Sequence, residues 1–151
     1  MTGVKPVRPI QFTFENYYLY GVIEPTTGDG FFLEMPSLDS QCFQVFLNQC
    51  AQKYSESLNI IILDRGRFHR AKALQIPKNI VLEFLPAYSP ELNPMERLWE
   101  DLKSHIALEL FENLQLLKDR VAGIIQQYSS SCLQSITGYP YFVQAVSAIF
   151  Q

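Results

Sequence analysis

The spacing of apolar and polar positions changes several times along the 151 residues, and each change predicts an element. Met1 to Ile10 shows no period and holds Pro6 and Pro9, so an irregular opening is expected. Gln11 to Ile23 is rich in Phe, Tyr, Thr, Val and Ile, which suit a pleated strand. Glu24 to Gly30 carries turn residues, and Phe31 to Met35 completes a hairpin with a longer loop. The period then becomes helical. Phe43, Phe46, Leu47, Cys50, Ala51 and Tyr54 recur on one face, with Asp39 or Ser40 able to cap. Asn59 to Asp64 is four large apolar residues ending on an acid, the pattern of a strand buried on both faces. A short helical connection to a strand at Ile80 to Leu85 follows.

Pro94 to Ala107 is the clearest helix. Asn93 can cap it, Pro94 suits its first position, and Met95, Leu98, Trp99, Leu102 and Ile106 form its apolar stripe. Leu114 to Tyr128 is another helix, Gly138-Tyr139-Pro140 is a break, and Tyr141 to Phe150 is a last short helix. Strands alternating with helices, followed by a helical C-terminal third, predict an α/β fold. The length fits one domain, and no Gly/Ser linker divides it.

Composition narrows the picture. Apolar residues make up 48% and charged residues 18%, which excludes disorder and coiled coil. No apolar run reaches the roughly 20 residues of a membrane-spanning helix, and Met1 to Ile10 lacks the apolar stretch of a signal peptide. Three cysteines, Cys42, Cys50 and Cys132, read as reduced thiols in a cytoplasmic protein. The net charge of −3 argues weakly against nucleic acid, but a local basic patch can outweigh the sum.

Such a patch follows Asp64: Arg65, Arg67, Arg70 and Lys72, with His69 among them. It is either a solvated face or a phosphate-binding surface beside an acid. Asp64 itself ends the buried strand, where α/β folds gather ligands. Its other reading is local, as a cap or a partner of Arg65 or Arg67. Glu96 stands three residues after Asn93, the spacing of a capping box. Glu100 and Lys103 extend the same polar edge and can form a surface pair. The two histidines, His69 and His105, and the dispersed cysteines match no zinc spacing. No phosphate-binding glycine loop is present.

Two segments carry a resemblance. Leu63-Asp64-Arg65-Gly66-Arg67-Phe68-His69 resembles the Asp-Asn-x-x-x-His segment of DDE transposases. Leu85-Pro86-Ala87-Tyr88-Ser89-Pro90-Glu91-Leu92-Asn93-Pro94-Met95-Glu96, continuing through Trp99 to Lys103, resembles their Leu-Pro-x-Tyr-Ser-Pro-x-Leu-Asn-Pro-Ile-Glu-x-x-Trp block. The likeness is to the bacterial insertion-sequence branch of the mariner-like superfamily. It implies a ribonuclease-H-like mixed sheet flanked by helices. It also implies catalytic and metal-binding roles for Asp64 and Glu96, with Mg²⁺ or Mn²⁺ as cofactor. DNA contacts are then expected from Arg65, Arg67, Arg70, Lys72 and Lys103. His69, Tyr88, Asn93 and Trp99 become structural neighbours of the site.

The sequence departs from that pattern in three places. The 31 residues between Asp64 and Glu96 are slightly fewer than usual for the family. Arg65 stands where Asn normally follows the second acid. No acid precedes Glu15, although the resemblance places a first catalytic Asp on a first strand upstream of Gln11. Residues 1–151 are therefore expected to be an N-terminally truncated DDE catalytic domain that lacks its first strand. The family's N-terminal DNA-binding region is missing from these residues too. Three functions follow as expectations. The first is a metal-dependent DNA-cleaving and strand-transfer domain for insertion-sequence ends, homodimeric or completed by an upstream fragment. The second is an inactive remnant, and the third a regulatory, dimerising module. Ribonuclease-H-like cleavage of another nucleic acid rests on fold analogy alone.

Overall fold

A computed structural model describes residues 2–7, 10–11, 17–66, 72–87, 92–141 and 144, with side chains described from residue 17 onward. Six strands form one mixed sheet: β1 (Thr2–Val7), β2 (Ile10–Gln11), β3 (Tyr18–Glu24), β4 (Asp29–Met35), β5 (Leu58–Leu63) and β6 (Ile80–Phe84). The helices are α1 (Ser40–Lys53), α2 (Met95–Ile106), α3 (Leu114–Gln127) and α4 (Ser130–Thr137). Among the described residues, no helix is long and apolar enough to cross a membrane.

The β3–β4 hairpin turns over Pro25 to Gly28, where Gly28 adopts φ +73°, a value favourable only to glycine-like residues. Gly28 N donates to the Glu24 carbonyl at 2.8 Å. β1, β5 and β6 run parallel, with Thr2 paired to Leu58 and Val7 to Leu63, then Asn59 to Ile80 and Leu63 to Phe84. β1 and β2 share one antiparallel register on β3: Val7 pairs with Val22, Ile10 with Leu19 and Gln11 with Tyr18. Thus β2 continues the line of β1. The segment lies along β5 at its start and along β3 at its end.

Alternation splits the core between the two faces of the sheet. On one face Tyr20 and Val22 of β3 and Ile61 and Leu63 of β5 meet Phe43, Phe46, Leu47 and Cys50 of α1. Phe31 stacks on Phe46 at 5.7 Å between ring centroids. On the other face Leu19 and Ile23 of β3 meet Met95, Leu98, Trp99 and Leu102 of α2, with Leu117, Val121 and Ile124 of α3 and Leu133 of α4 behind them. The mixed α/β architecture and the helical C-terminal part are as expected.

Two expectations are corrected. The opening residues are a strand, not an irregular segment, and the sheet does not lack a strand at its centre, because Thr2–Val7 sits between β3 and β5. The prolines suggested a break, but β5 offers a backbone ladder along its whole length, and that tertiary context overrides local propensity. The helical connection expected between β5 and β6 falls in part on residues 67–71, outside the described residues. Lys72 to Asn79 is turns and extended chain, held to α1 by a paired amide. Gln44 Nε2 donates to the Gln75 carbonyl at 2.8 Å, and Gln75 N donates to Gln44 Oε1 at 2.7 Å. The last predicted helix lies mostly outside the described residues.

Candidate active site

Asp64 directly follows β5. Leu63 is buried against α1, and strand alternation assigns the next position to the opposite face, the one α2 covers. The Asp64 side chain is half-buried, and its Oδ1 accepts from Gly66 N at 3.1 Å. This local turn is one of the two readings the sequence offered, and it fixes the carboxylate at the strand exit. Arg65 is exposed, and its Nε donates to the Leu85 carbonyl at 3.0 Å, which ties the exits of β5 and β6 together. Lys72 is exposed on the following turn. Arg67, His69, Arg70 and Tyr88 lie outside the described residues.

Glu96 is placed by several contacts. It stands in the first turn of α2, half-buried, with its backbone N donating to the Asn93 carbonyl at 3.1 Å. Asn93 is fully buried, and its Oδ1 accepts from Met95 N at 3.0 Å. The Asn93 half of the expected capping is therefore present. One turn on, Trp99 is 2% exposed and meets Phe32 edge-on at 6.1 Å. Gly21 of β3 makes room for it, since a Cβ there would lie 2.7 Å from Trp99 Cη2. This notch sets where α2 sits along the sheet, and hence where Glu96 sits. Lys103 is exposed in the last turn, roughly 10 Å farther along the helix.

A second support was not foreseen from the sequence. The chain after α4 crosses the start of α2. The Arg97 guanidinium lies 5.5 Å from the Tyr139 ring centroid, Tyr139 packs on Tyr141 at 5.6 Å, and the Tyr141 hydroxyl donates to the Leu92 carbonyl. Burial pushes the Tyr139 phenol up; Arg97 opposes this, while Glu100 and Glu96 add to it. The only sequence signal was the aromatic pair flanking Pro140, which reads as a chain break. Farther along α2, the Tyr128 hydroxyl donates to Asp101 Oδ2 at 2.5 Å, locking α3 to α2.

Among the described residues, no group of three or more His, Cys, Asp or Glu side chains is placed to hold a metal ion. Asp64 and Glu96 are hard oxygen donors on rigid elements, so they suit Mg²⁺ or Mn²⁺ in kind. They fall short in number. Glu24, the buried acid of β3, is occupied in its own turn, accepting from the Thr26 hydroxyl at 3.2 Å.

A family model described as DDE superfamily endonuclease matches residues 8–118, a span that contains Asp64, Glu96 and the α2 notch. The chain belongs to this family. DDE superfamily endonucleases typically use a divalent metal, which agrees with the two carboxylates. The chain is 34% identical over 89 residues to an uncharacterized protein, y4pE/y4sA, of Sinorhizobium fredii (strain NBRC 101917 / NGR234). That match covers 58% of this chain and 66% of the relative. The fold resembles that in the crystal structure of the Mos1 strand transfer complex, with a TM-score of 0.63 and 14% identity. The likeness covers 91% of this chain but 50% of the Mos1 chain. This DDE chain thus spans about half to two thirds of the proteins it matches.

Proposed function

We propose that this DDE chain is the Asp64- and Glu96-bearing part of a ribonuclease-H-like transposase catalytic domain. It belongs to the bacterial insertion-sequence, mariner-like branch and acts in the cytoplasm on insertion-sequence ends and target DNA. The observation that carries this reading is the mounting of the two acids. One ends a buried strand, and the other sits in the first turn of a helix that Trp99 registers against Gly21. Asp64 and Glu96 would hold Mg²⁺ or Mn²⁺. A bound divalent ion supplies Lewis-acid activation of the attacking oxygen and of the scissile phosphate.

The remaining roles belong to the chain's own groups. Arg65, Lys72 and Lys103 are exposed cations that attract and orient the phosphate backbone, with Arg67 and Arg70 proposed alongside them. Asn93 and Trp99 hold the Glu96 turn in place, and we assign His69 and Tyr88 to the same surroundings. Among the described residues two carboxylates are candidates for the site, so cleavage and strand transfer on this reading draw a third acid from an upstream segment or a partner chain. We propose that the chain works as a homodimer or with an upstream fragment that supplies this acid.

The lack of any acid before Glu15 favours a second reading, a catalytically inactive remnant or regulatory, dimerising module. A nicking assay on insertion-sequence-end DNA separates the two. The chain is tested alone and fused to its upstream-encoded segment, with Mg²⁺ or Mn²⁺. The catalytic reading expects nicking in the fusion, abolished by Asp64→Asn and by Glu96→Gln. An inert fusion refutes it in favour of the second reading.

A further inference from the structure

The chain that crosses the start of α2 presents an aromatic face beside Glu96. Tyr139 and Tyr141 are separated by Pro140, whose ring fixes its own φ and stiffens the step between them. The two tyrosine rings meet edge-on at 5.6 Å, with 60° between their planes. The Tyr141 hydroxyl donates to the Leu92 carbonyl, so this ring is held at its tip and against its neighbour. Even so, Tyr141 is 43% exposed. Arg97, exposed in the first turn of α2, carries its guanidinium over the Tyr139 ring at 5.5 Å. A guanidinium has five N–H donors, so stacking leaves donors for a further acceptor. Burial pushes the Tyr139 phenol up most, and Glu100 and Glu96 add to it, so both carboxylates lie close by. Each feature narrows what fits. A fixed, partly exposed ring with its hydroxyl turned to the backbone offers a flat stacking surface. The nearby carboxylates oppose a bare phosphate on that ring, whereas an uncharged planar base meets no such repulsion. The phosphate joined to that base has Arg97.

We propose that Tyr141, backed by Tyr139, is a stacking seat for one unstacked nucleobase of a DNA strand, with Arg97 holding the adjoining phosphate. A base inside a duplex has both faces covered by its neighbours, so the seat takes a single-stranded or frayed nucleotide. Stacking uses the face of Tyr141, and the bracing of α2 uses its hydroxyl, so the two roles are separable. The seat gives the strand a fixed point next to the Glu96 turn. That consequence rests on the reading of Asp64 and Glu96 as a DNA-cleaving pair. The stacking itself rests on Arg97, Tyr139 and Tyr141 alone.

The test uses the intact chain in EDTA and a single-stranded oligonucleotide of about ten nucleotides, within the usual span of such sites, with 2-aminopurine at its centre. Binding should quench the 2-aminopurine fluorescence. The same strand in a duplex should show no quench. A fully abasic strand of equal length should bind about tenfold more weakly, the size of one stacked base. Tyr141→Leu should remove the quench and cost the same tenfold. Tyr141→Phe loses the bond to Leu92 but keeps the ring, so it should quench and bind as the wild type does. Arg97→Gln should weaken normal and abasic strands alike and lower the salt slope by about one. The wild-type readings and Arg97→Gln decide the matter if Tyr141→Leu does not fold. No quench, equal binding of the abasic strand, or equal losses in Tyr141→Phe and Tyr141→Leu overturns the proposal. The last of these would leave Tyr141 as a brace for α2 and nothing more. EDTA prevents metal-dependent cleavage throughout, so the stacking stands or falls separately from the nicking assay that tests Asp64 and Glu96.

Discussion

The two faces of the sheet are covered by helices that are held in different ways. α1 is nearly self-sufficient. Asp39 accepts from Cys42 N at 2.8 Å and from the Ser37 hydroxyl, and its apolar stripe packs on Tyr20, Val22, Ile61 and Leu63. α2 has no side-chain hydrogen bond from its capping residue Pro94. Asn93 starts it locally, accepting from Met95 N, and the rest of its support comes from distant segments: the Gly21 notch, Tyr128 at the end of α3, and Tyr139 and Tyr141 after α4. The helix with a candidate chemical role therefore takes polar and aromatic support from several distant segments, whereas α1 combines a complete local cap with its apolar stripe and the Gln44–Gln75 pair. Tertiary fixing sets a helix's position along the sheet. Local capping sets only where the helix begins.

This contrast can be broken in graded steps. Trp99→Ala should have the largest effect, about 3–5 kcal/mol in chemical denaturation. Phe46→Ala on α1 should cost a similar amount, but only Trp99→Ala should also abolish nicking by a folded fusion protein. Gly21→Ala drives a Cβ to 2.7 Å from Trp99 and 2.8 Å from Phe32, an overpacking. It should cost about 1–3 kcal/mol, and the companion change Phe32→Leu should recover part of the loss. Asn93→Ala leaves the Met95 N–H without its buried acceptor and should cost about 2 kcal/mol in thermal unfolding.

Asp39→Ala should be the mildest, about 1 kcal/mol at neutral pH. Its effect should also depend on pH. The hydrogen bonds from Cys42 N and Ser37 hold the Asp39 carboxyl below its ordinary value. Its stabilising contribution is therefore complete above the unfolded carboxylate range, near pH 4, and is lost as pH falls through the lower folded value. Wild type and Asp39→Ala should converge in stability in strong acid. A constant difference at every pH would remove the carboxylate from the account of α1.

Periodicity was enough to find α1, β5, α2 and α3, because each buries one stripe or a continuous run whose spacing is a direct image of its geometry. Of the candidate acids, Asp64 stands out as the polar stop on an apolar run, whereas the spacing of Glu96 from Asn93 reads as a capping box, and only the resemblance to DDE transposases marks Glu96 for chemistry. β1 was not legible, since Gly3 and Pro6 oppose strand structure locally and only the ladder of β5 compensates. The Tyr139 and Tyr141 crossing was hidden too. It joins residues more than forty positions from their partners on α2 and just before it, and no local pattern encodes such a meeting. Gly21 carries no signal of its own within the Gln11 to Ile23 strand. Its value lies in the indole it admits from another element.

The docking of the β3–β4 turn has a consequence for how the chain is made. Gly28 lies so close to the Ser130 carbonyl of α4 that an added Cβ would be 1.9 Å from that oxygen. Gln134 Nε2 also donates to the Thr26 carbonyl at 2.6 Å, across 108 residues of chain. The hairpin is thus closed by a helix translated about a hundred residues later. At about 5–20 residues per second, the apolar side of that hairpin waits several seconds or longer for its cover. A chaperone that shields Leu19 and Ile23 during that interval would therefore raise the yield of folded protein more than one acting after release.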